Sequence, residues 1–404
     1  GSEMCIRDSY YIDVKGMLSS LHGSAGAITA LQNSVAHYYQ RASSADYLGV
    51  DPTRRSLTGT GGYVKVGRKG NAKWNFSETF TWSSPGFDLN DMGYMKETDY
   101  LMNETEIMYR QTDIWKIFRY NAFTLSQKNM WNYGGTPFSN NASLRWQSMT
   151  MNWYEWDVKE TFAWNWLDSR LLRGGPDVRF GSYFLTSAKF NTDKAKRMMF
   201  MLKYEGDHNF EGNRFNTISP SLTFRLGNHV YLSGQLDYAW NTDEMQYVAT
   251  TSPLSSSSLA PYYYVMGHMD QKTYGLTLKL QVNVTPDISI QFYGAPFTSI
   301  AKYDDFKLAA DTKSHTFENR FQRIDPDQLT YADGVYTIGE GAGQMPFRNP
   351  DFRFNEFRSN LVARWEYLPG STLYFVWEHR MSNRDNWYSS GWGSNLDRCL
   401  LYTS

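Results

Sequence analysis

Apolar and polar residues alternate along most of the chain with a period of two. In Tyr154–Trp166 the even positions carry Tyr154, Trp156, Val158, Phe162, Trp164 and Trp166, with Glu160 among them. The odd positions carry Glu155, Asp157, Lys159, Thr161 and Asn165. Val230–Trp240, Lys272–Val284 and Phe357–Tyr367 repeat the pattern. Successive side chains of a strand point to opposite faces, so each segment reads as a strand with one apolar and one wet face. Turn residues between the runs give about fifteen strands. They begin near Tyr10, Gly59, Lys73, Leu101, Lys116, Ala142, Tyr154, Val178, Ala195, Arg214, His229, Pro261, Asp287, Arg353 and Ser371.

The connections alternate in length. Short turns are expected at Val66–Ala72, Gln111–Trp115, Asn152–Trp153, Thr186–Lys194, Gly227–Asn228, Thr285–Pro286 and Leu368–Gly370. Long loops are expected at Ser20–Thr58, Ser84–Tyr100, Trp131–Asn141, Leu167–Asp177, Thr251–Ala260 and Phe297–Phe352. Short turns at one rim and long loops at the other are the pattern of an outer-membrane barrel. The fold class expected is therefore all-β: an antiparallel transmembrane β-barrel with about 15–16 strands in view, incomplete at both ends. Trp74 and Trp82 bracket Phe76 and Phe80 on one face, roughly 20 Å apart along a membrane normal for a strand tilted ~40°. Glu78 sits on that same face and conflicts with a lipid-facing assignment. Ile28, Leu31, Val35 and Tyr38 recur at helical spacing, predicting a short helix within Ala25–Tyr39 that caps or enters the pore. The Phe297–Phe352 stretch, with Gly339, Gly341 and Gly343, reads as a lid, an inward constriction or a surface loop.

Composition narrows the class. Aromatic residues make up 17% and hydrophobic residues 41%, yet no apolar run approaches the ~20 residues of a spanning helix. The net charge of -1 gives no electrostatic footprint for nucleic acid. The two cysteines, Cys5 and Cys399, lie in EMCIRDS and CLLYTS, which look like translated adapter read-through. Residues 1–9 and the end of 382–404 are thus expected to be non-native tails, with 382 onward beginning as a truncated loop. The barrel domain is expected over 10–381, with long loops at 20–58 and 297–352. No signal peptide precedes it, so the exported protein's own start is expected to lie outside this sequence.

Little chemistry stands out. The seven histidines show no zinc-helix spacing, no Walker-type loop occurs, and no motif calls for a cofactor. His22–Gly26 (HGSAG) approaches a nucleophile elbow at Ser24 but lacks its first glycine and its strand–helix context. Glu155, Asp157 and Glu160 are the carboxylates from which an acid/base pair could be drawn. Alternation assigns Lys159, Arg179, Arg197, Lys203, Asp237, Lys279, Arg358, Arg364 and Glu366 to the lumen, where charged side chains select permeants.

Three segments carry a family resemblance. They are SPGFDLND (Ser84, Pro85, Gly86, Phe87, Asn90 and Asp91 among them), LRGGP (Arg173, Gly174, Gly175, Pro176) and the stretch Asn349–Arg380. The last includes Asn349, Pro350, Asp351, Phe352, Arg358, Ser359, Asn360, Arg364, Trp365, Glu366, Pro369, Gly370 and Ser371. Together they resemble an uncharacterised Bacteroidota family. Its members join an N-terminal carbohydrate-binding, family-nine-like β-sandwich to a C-terminal outer-membrane barrel of unknown function. The resemblance implies an outer-membrane location, contact with membrane lipid, and glycan or nutrient handling; it supplies no catalytic residues. It also implies a missing sandwich before Tyr10 and a missing closing strand after Arg380. A channel or uptake component is the first functional expectation. A closed surface barrel binding a glycan or protein, a barrel hydrolase and a TonB-dependent receptor are the alternatives.

Overall fold

A computed structural model describes residues 9–41, 47–90, 93, 95–227, 229–254 and 262–385. Its strands are β1 (Ser9–His22), β2 (Ser56–Lys69), β3 (Trp74–Ser83), β4 (Tyr100–Gln111), β5 (Phe118–Trp131), β6 (Pro137–Thr150) and β7 (Glu155–Trp164). A two-stranded ribbon of β8 (Trp166–Asp168) and β9 (Val178–Phe180) precedes β10 (Tyr183–Asn191), β11 (Met198–Asn209) and β12 (Arg214–Leu226). Three long strands follow: β13 (Val230–Thr251), β14 (Tyr263–Asn283) and β15 (Ile288–Ala309). After the short β16 (Phe321–Arg323), β17 (Leu329–Ala332), β18 (Val335–Ile338) and β19 (Met345–Arg348) form a small sheet of their own. The chain then returns through β20 (Phe352–Leu368) and β21 (Ser371–Asp385). The single α-helix among the described residues, α1 (Ala25–Gln32), follows β1 and begins where the Ser24 hydroxyl accepts the Ala27 N–H at 3.2 Å.

The protein is all-β, built on one sixteen-stranded antiparallel sheet. Its order is β1 through β7, then β10 through β15, β20 and β21, with β16 pairing beside β15. Each wall strand pairs with its neighbour in sequence, apart from the excursions β8–β9 and β16–β19. The expected closure is not present among the described residues: no ladder joins β1 to β21, and each is an open edge. The seven short turns all lie at one end, as the alternation predicts. The Ser20–Thr58, Ser84–Tyr100 and Leu167–Asp177 loops lie at the other.

Several boundaries differ from expectation: the turn expected over Thr186–Lys194 follows Asn191, where β10 ends, and that over Val66–Ala72 follows Lys69, where β2 ends. Trp131–Asn141 is a tight turn, not a long loop: Asn132 Oδ1 accepts the Thr136 N–H at 2.8 Å and Gly135 adopts φ 80°, so β6 starts at Pro137. The long loop expected from Phe297 begins only after Ala309. Val265, Phe306 and Leu308 are buried with Ile338 and Phe347 beneath β17–β19, so both faces of upper β15 are covered and alternation fades there. The tails 1–8 and 386–404, with Cys5 and Cys399, and also Asp91, lie outside the described residues.

Register makes the two faces explicit. Directly opposed residues share a face, and Phe76↔Ile107↔Leu125↔Leu144 runs unbroken across β3–β6. Leu232↔Leu280↔Phe292↔Leu361↔Trp377 continues that face across β13–β15, β20 and β21. Val14↔Val64↔Phe80 does so at the start. One face of the wall is therefore an apolar belt. From Val230 to Trp240 it spans about ten residues, or roughly 25 Å for a tilted strand. Trp82, Trp131, Trp164 and Trp240 stand at its loop-side margin; Trp74, Trp156 and Trp365 stand toward the turns. The other face is mostly hydroxyl, amide and charged.

Candidate functional site

The polar face is roofed at its loop end, and glycines make the roof possible. Phe87, 4% exposed, lies over β2 where Gly59 and Gly61 face it. A Cβ on Gly59 would sit 2.1 Å from the Phe87 nitrogen, and one on Gly61 would sit 2.5 Å from the Phe87 ring. The Asp88 N–H donates to Ser19 Oγ of β1 at 2.9 Å, and the Thr98 hydroxyl donates to the carbonyls of Ala36 and Pro85. SPGFDLND is thereby folded inward across β1 and β2.

LRGGP closes the roof from the opposite side. Leu172 is buried with Val178, Met245 and Met266, and the Arg173 guanidinium lies 4.5 Å from the centre of the Tyr247 ring. Gly174 (φ 106°) packs on Gln40, and Gly175 packs on Tyr264, with no room for a Cβ at either. One loop thus touches the segment after β1 and the tops of β13 and β14. Such a contact requires the wall to curl toward its polar face. The third motif anchors the far side: Asn349 Oδ1 accepts the Asp351 N–H, and Asp351 Oδ1 accepts the Tyr303 N–H at 2.7 Å. Pro369–Gly370–Ser371 belongs to a turn at the opposite end, where Gly370 takes φ 81°.

Beneath the roof is a cavity of about 610 Å³ to which all of β1–β6 contribute. Met17, Tyr63, Met102, Met130, Phe87 and Trp166 give it apolar and aromatic walls; Lys128, Asn141, Glu97, Asp168 and Arg170 give it polar groups. This mixture suits a small amphipathic ligand. Further along the same face a cavity of about 450 Å³ includes Asp237, Thr273, Tyr293, Glu356 and Arg358.

Seven of the nine residues assigned to the lumen share the polar face: Lys159, Lys203, Asp237, Lys279, Arg358, Arg364 and Glu366. Most are paired. Lys203 meets Glu205 at 2.8 Å and Arg364 meets Glu366 at 2.6 Å. Glu356 holds Arg358 at 2.9 Å and Arg380 at 2.8 Å. Asp237 accepts from Ser219 at 2.6 Å. Two assignments are corrected. Arg179 lies in the side ribbon, donating to the Lys313 carbonyl at 2.9 Å, and Arg197 lies in the turn before β11. Each precedes a wall strand that starts later than alternation alone suggests. Of the remaining motif residues on β20, Asn360 faces the polar side, while Ser359 and Trp365 face the apolar one.

The carboxylates considered for catalysis do not converge. Asp157 is held by Arg145 and Gln147, Glu155 by Lys194 and Asn191, and Glu160 points to the apolar face, accepting from Thr186 at 2.7 Å. Ser24 is a helix cap. Among the described residues no group of three or more His, Cys, Asp or Glu side chains is placed to hold a metal.

Two buried titratable groups tie the roof together, and neither shows in the sequence pattern. Asp99, in the left-handed region at φ 62°, accepts from Arg41 at 2.8 Å, from the Tyr47 hydroxyl at 2.6 Å and from the Tyr133 N–H at 3.1 Å. Burial pushes its carboxyl up, against the pull of these donors. Burial also raises the Tyr47 phenol, as does its bond to Asp99. His37 is buried between the 33–41 and 84–90 segments, with Nδ1 3.2 Å from Ser34 Oγ and Nε2 3.9 Å from Asp88. Burial lowers its pKa despite the Asp88 charge. The unfolded chain then binds the proton more readily than the folded one, so roof stability is full above about pH 6.5 and falls as pH drops below it. The protection of amides across 33–41, taken relative to the intrinsic exchange rate at each pH, should fall between pH 7 and pH 5, and His37→Gln should flatten that dependence. An unchanged pH profile in the variant would show that His37 is not the titrating group.

A family model described as Domain of unknown function (DUF5916) matches residues 23–403. The chain belongs to that family. DUF5916 therefore covers α1, the roof and nearly all of the wall, which agrees with the three motifs being packing elements of one unit. Searches of curated proteins and of solved structures return no match.

Proposed function

We propose that this chain forms the wall of an outer-membrane barrel acting as a gated channel or uptake component, with its solute path along the polar face. The observation that supports this best is the apolar belt: a face of Val, Leu, Ile and Phe, about 25 Å tall and edged by tryptophans, broken by polar side chains around Glu78 and Glu160 and lying opposite a charged face. Water has no comparable use for such a face, since contiguous exposed apolar patches on soluble proteins rarely exceed a few hundred Å². Among the described residues the outer edges of β1 and β21 have no ladder, and in a bilayer the backbone groups of an edge need hydrogen-bond partners. The roof favours gated passage over an open pore.

The protein in planar bilayers should conduct ions, and Asp99→Ala, which removes the acceptor shared by Arg41, Tyr47 and Tyr133, should raise the open fraction. Insertion with no current from either form would overturn the channel reading. A second reading, a closed barrel holding a glycan or other small amphipathic solute, draws on the 610 Å³ cavity, where Tyr63, Tyr100 and Trp166 can stack on sugar rings. Retention on a glycan array, lost when 84–99 is trimmed, would favour it.

A further inference from the structure

The apolar belt is interrupted most broadly across β3–β6; Glu160 of β7, bonded to Thr186, is a further polar point on the same face. On its face, β3 carries Glu78, β4 carries Asn103 and Thr105, β5 carries Gln127 and Asn129, and β6 carries Asn140. These are neighbours: Glu78↔Thr105↔Gln127 form one row and Asn103↔Asn129↔Asn140 the next. The patch lies between two apolar margins, with Trp74, Phe76 and Ile107 on the turn side and Trp82, Leu101 and Trp131 on the loop side. On the same face of β13–β15 the corresponding stretch is mostly Leu, Val, Ile, Tyr and Phe, with Gly234, Gly294 and Thr298 among them and no charge until Lys272, opposite Trp240.

Half of the patch is satisfied within the chain. Asn103 Nδ2 and the Thr105 hydroxyl donate to the two oxygens of Glu78. The side chains of Gln127, Asn129 and Asn140 find no hydrogen-bond partner among the described residues. Three unpaired primary amides and a carboxylate facing hydrocarbon would each lose the bonds that water supplies, and lipid tails offer none in return.

We propose that this patch is the contact between two copies of the chain, packed belt to belt about a twofold axis through β4 and β5. The proposal rests on the membrane reading above. Chemistry selects a second copy. An isologous interface must be complementary to itself, and primary amides are, since each has a donor and an acceptor end. The spare lone pairs of Glu78 in one copy can accept from an amide of the other. Size agrees. The strands β3–β7 at ~4.8 Å spacing are roughly 20 Å wide, and with a belt height of ~25 Å they offer about 500 Å² per copy. That gives a total near the ~1,000 Å² at which specific interfaces begin. Trp82 and Trp131 at the margin supply the aromatic contacts that such interfaces favour.

The test uses the full chain with Cys5 and Cys399 replaced by serine, reconstituted into phosphatidylethanolamine–phosphatidylglycerol vesicles. Gln127→Cys, near the axis, should oxidise to a disulfide-linked species of twice the chain mass. Leu278→Cys, on the belt away from the patch, should remain single. Making the patch apolar (Gln127→Leu, Asn129→Leu and Asn140→Leu together) should abolish the double-mass species in native mass spectrometry while leaving vesicle insertion intact. Inserted protein that stays single with Gln127→Cys overturns the interface and leaves the membrane reading standing. Equal cross-linking at 127 and 278, or a 127 adduct with a different protein, also overturns it. Failure to enter vesicles overturns both.

Discussion

Replacing Arg320 with alanine is expected to release segment 310–323 from the wall without unfolding the sheet. Arg320 is 1% exposed, and its guanidinium is fully engaged. Nη1 and Nη2 donate to the two oxygens of Glu211 at 2.8 and 2.7 Å, and further bonds reach the carbonyls of Ser314, Arg179 and His315. Glu211 in turn accepts the Gly181 N–H at 2.8 Å. Removing the cation leaves this mostly buried carboxylate without its counter-charge, a loss of about 3–5 kcal/mol for such pairs. Because the contacts join loops to loops, the loss should appear as local opening: roughly 100-fold or more faster exchange or proteolysis in 310–323. Glu211→Gln should open the same segment less. Uniform destabilisation of β13–β15 in place of local opening would show that the pair supports the wall itself.

Placing a charge on the belt should produce the second large effect. Leu236 stands mid-belt on β13, directly opposite Leu276 of β14. On the membrane reading proposed above, an arginine there should cost about 2–4 kcal/mol of stability in lipid. Its neighbour Gln235 points to the polar face and donates to Asp237 at 2.9 Å, so Gln235→Arg should be near neutral. Urea titration of both variants in vesicles measures the difference. Equal losses would mean that the two faces are not in different solvents.

The wall was legible because each of its strands is half-wet, and a wet face keeps the period of two visible. Fourteen of the fifteen strand starts inferred from alternation correspond to wall strands, within about five residues, whereas Val178 opens β9 of the side ribbon. Legibility failed where both faces are covered. Upper β15 packs against β17–β19, and so Tyr303–Leu308 reads as loop. It failed again just before β10 and β11, where Arg179 and Arg197 precede the strands that they seemed to open. The roof was legible only as motifs. Gly59 and Gly61 look like weak strand residues until Phe87 is seen against them, and nothing local marks Asp99 or Arg320 as hubs, because their partners lie far along the chain. Glu78 was visible as an anomaly from the start. Its neighbours Asn103 and Gln127 became part of the same feature only through register, which alternation within single strands does not supply.

The orientation proposed for the wall, apolar face to lipid and polar face to water, is open to direct measurement. Nitroxide labels placed singly from Val230 to Trp240, in the chain with Cys5 and Cys399 replaced by serine and reconstituted in vesicles, report collision with oxygen in lipid and with a water-soluble nickel chelate. Oxygen accessibility should peak at the even positions, including 232, 236 and 238, and chelate accessibility at 233, 235 and 237. Accessibility without that alternation, or with the two reagents exchanged, would contradict it.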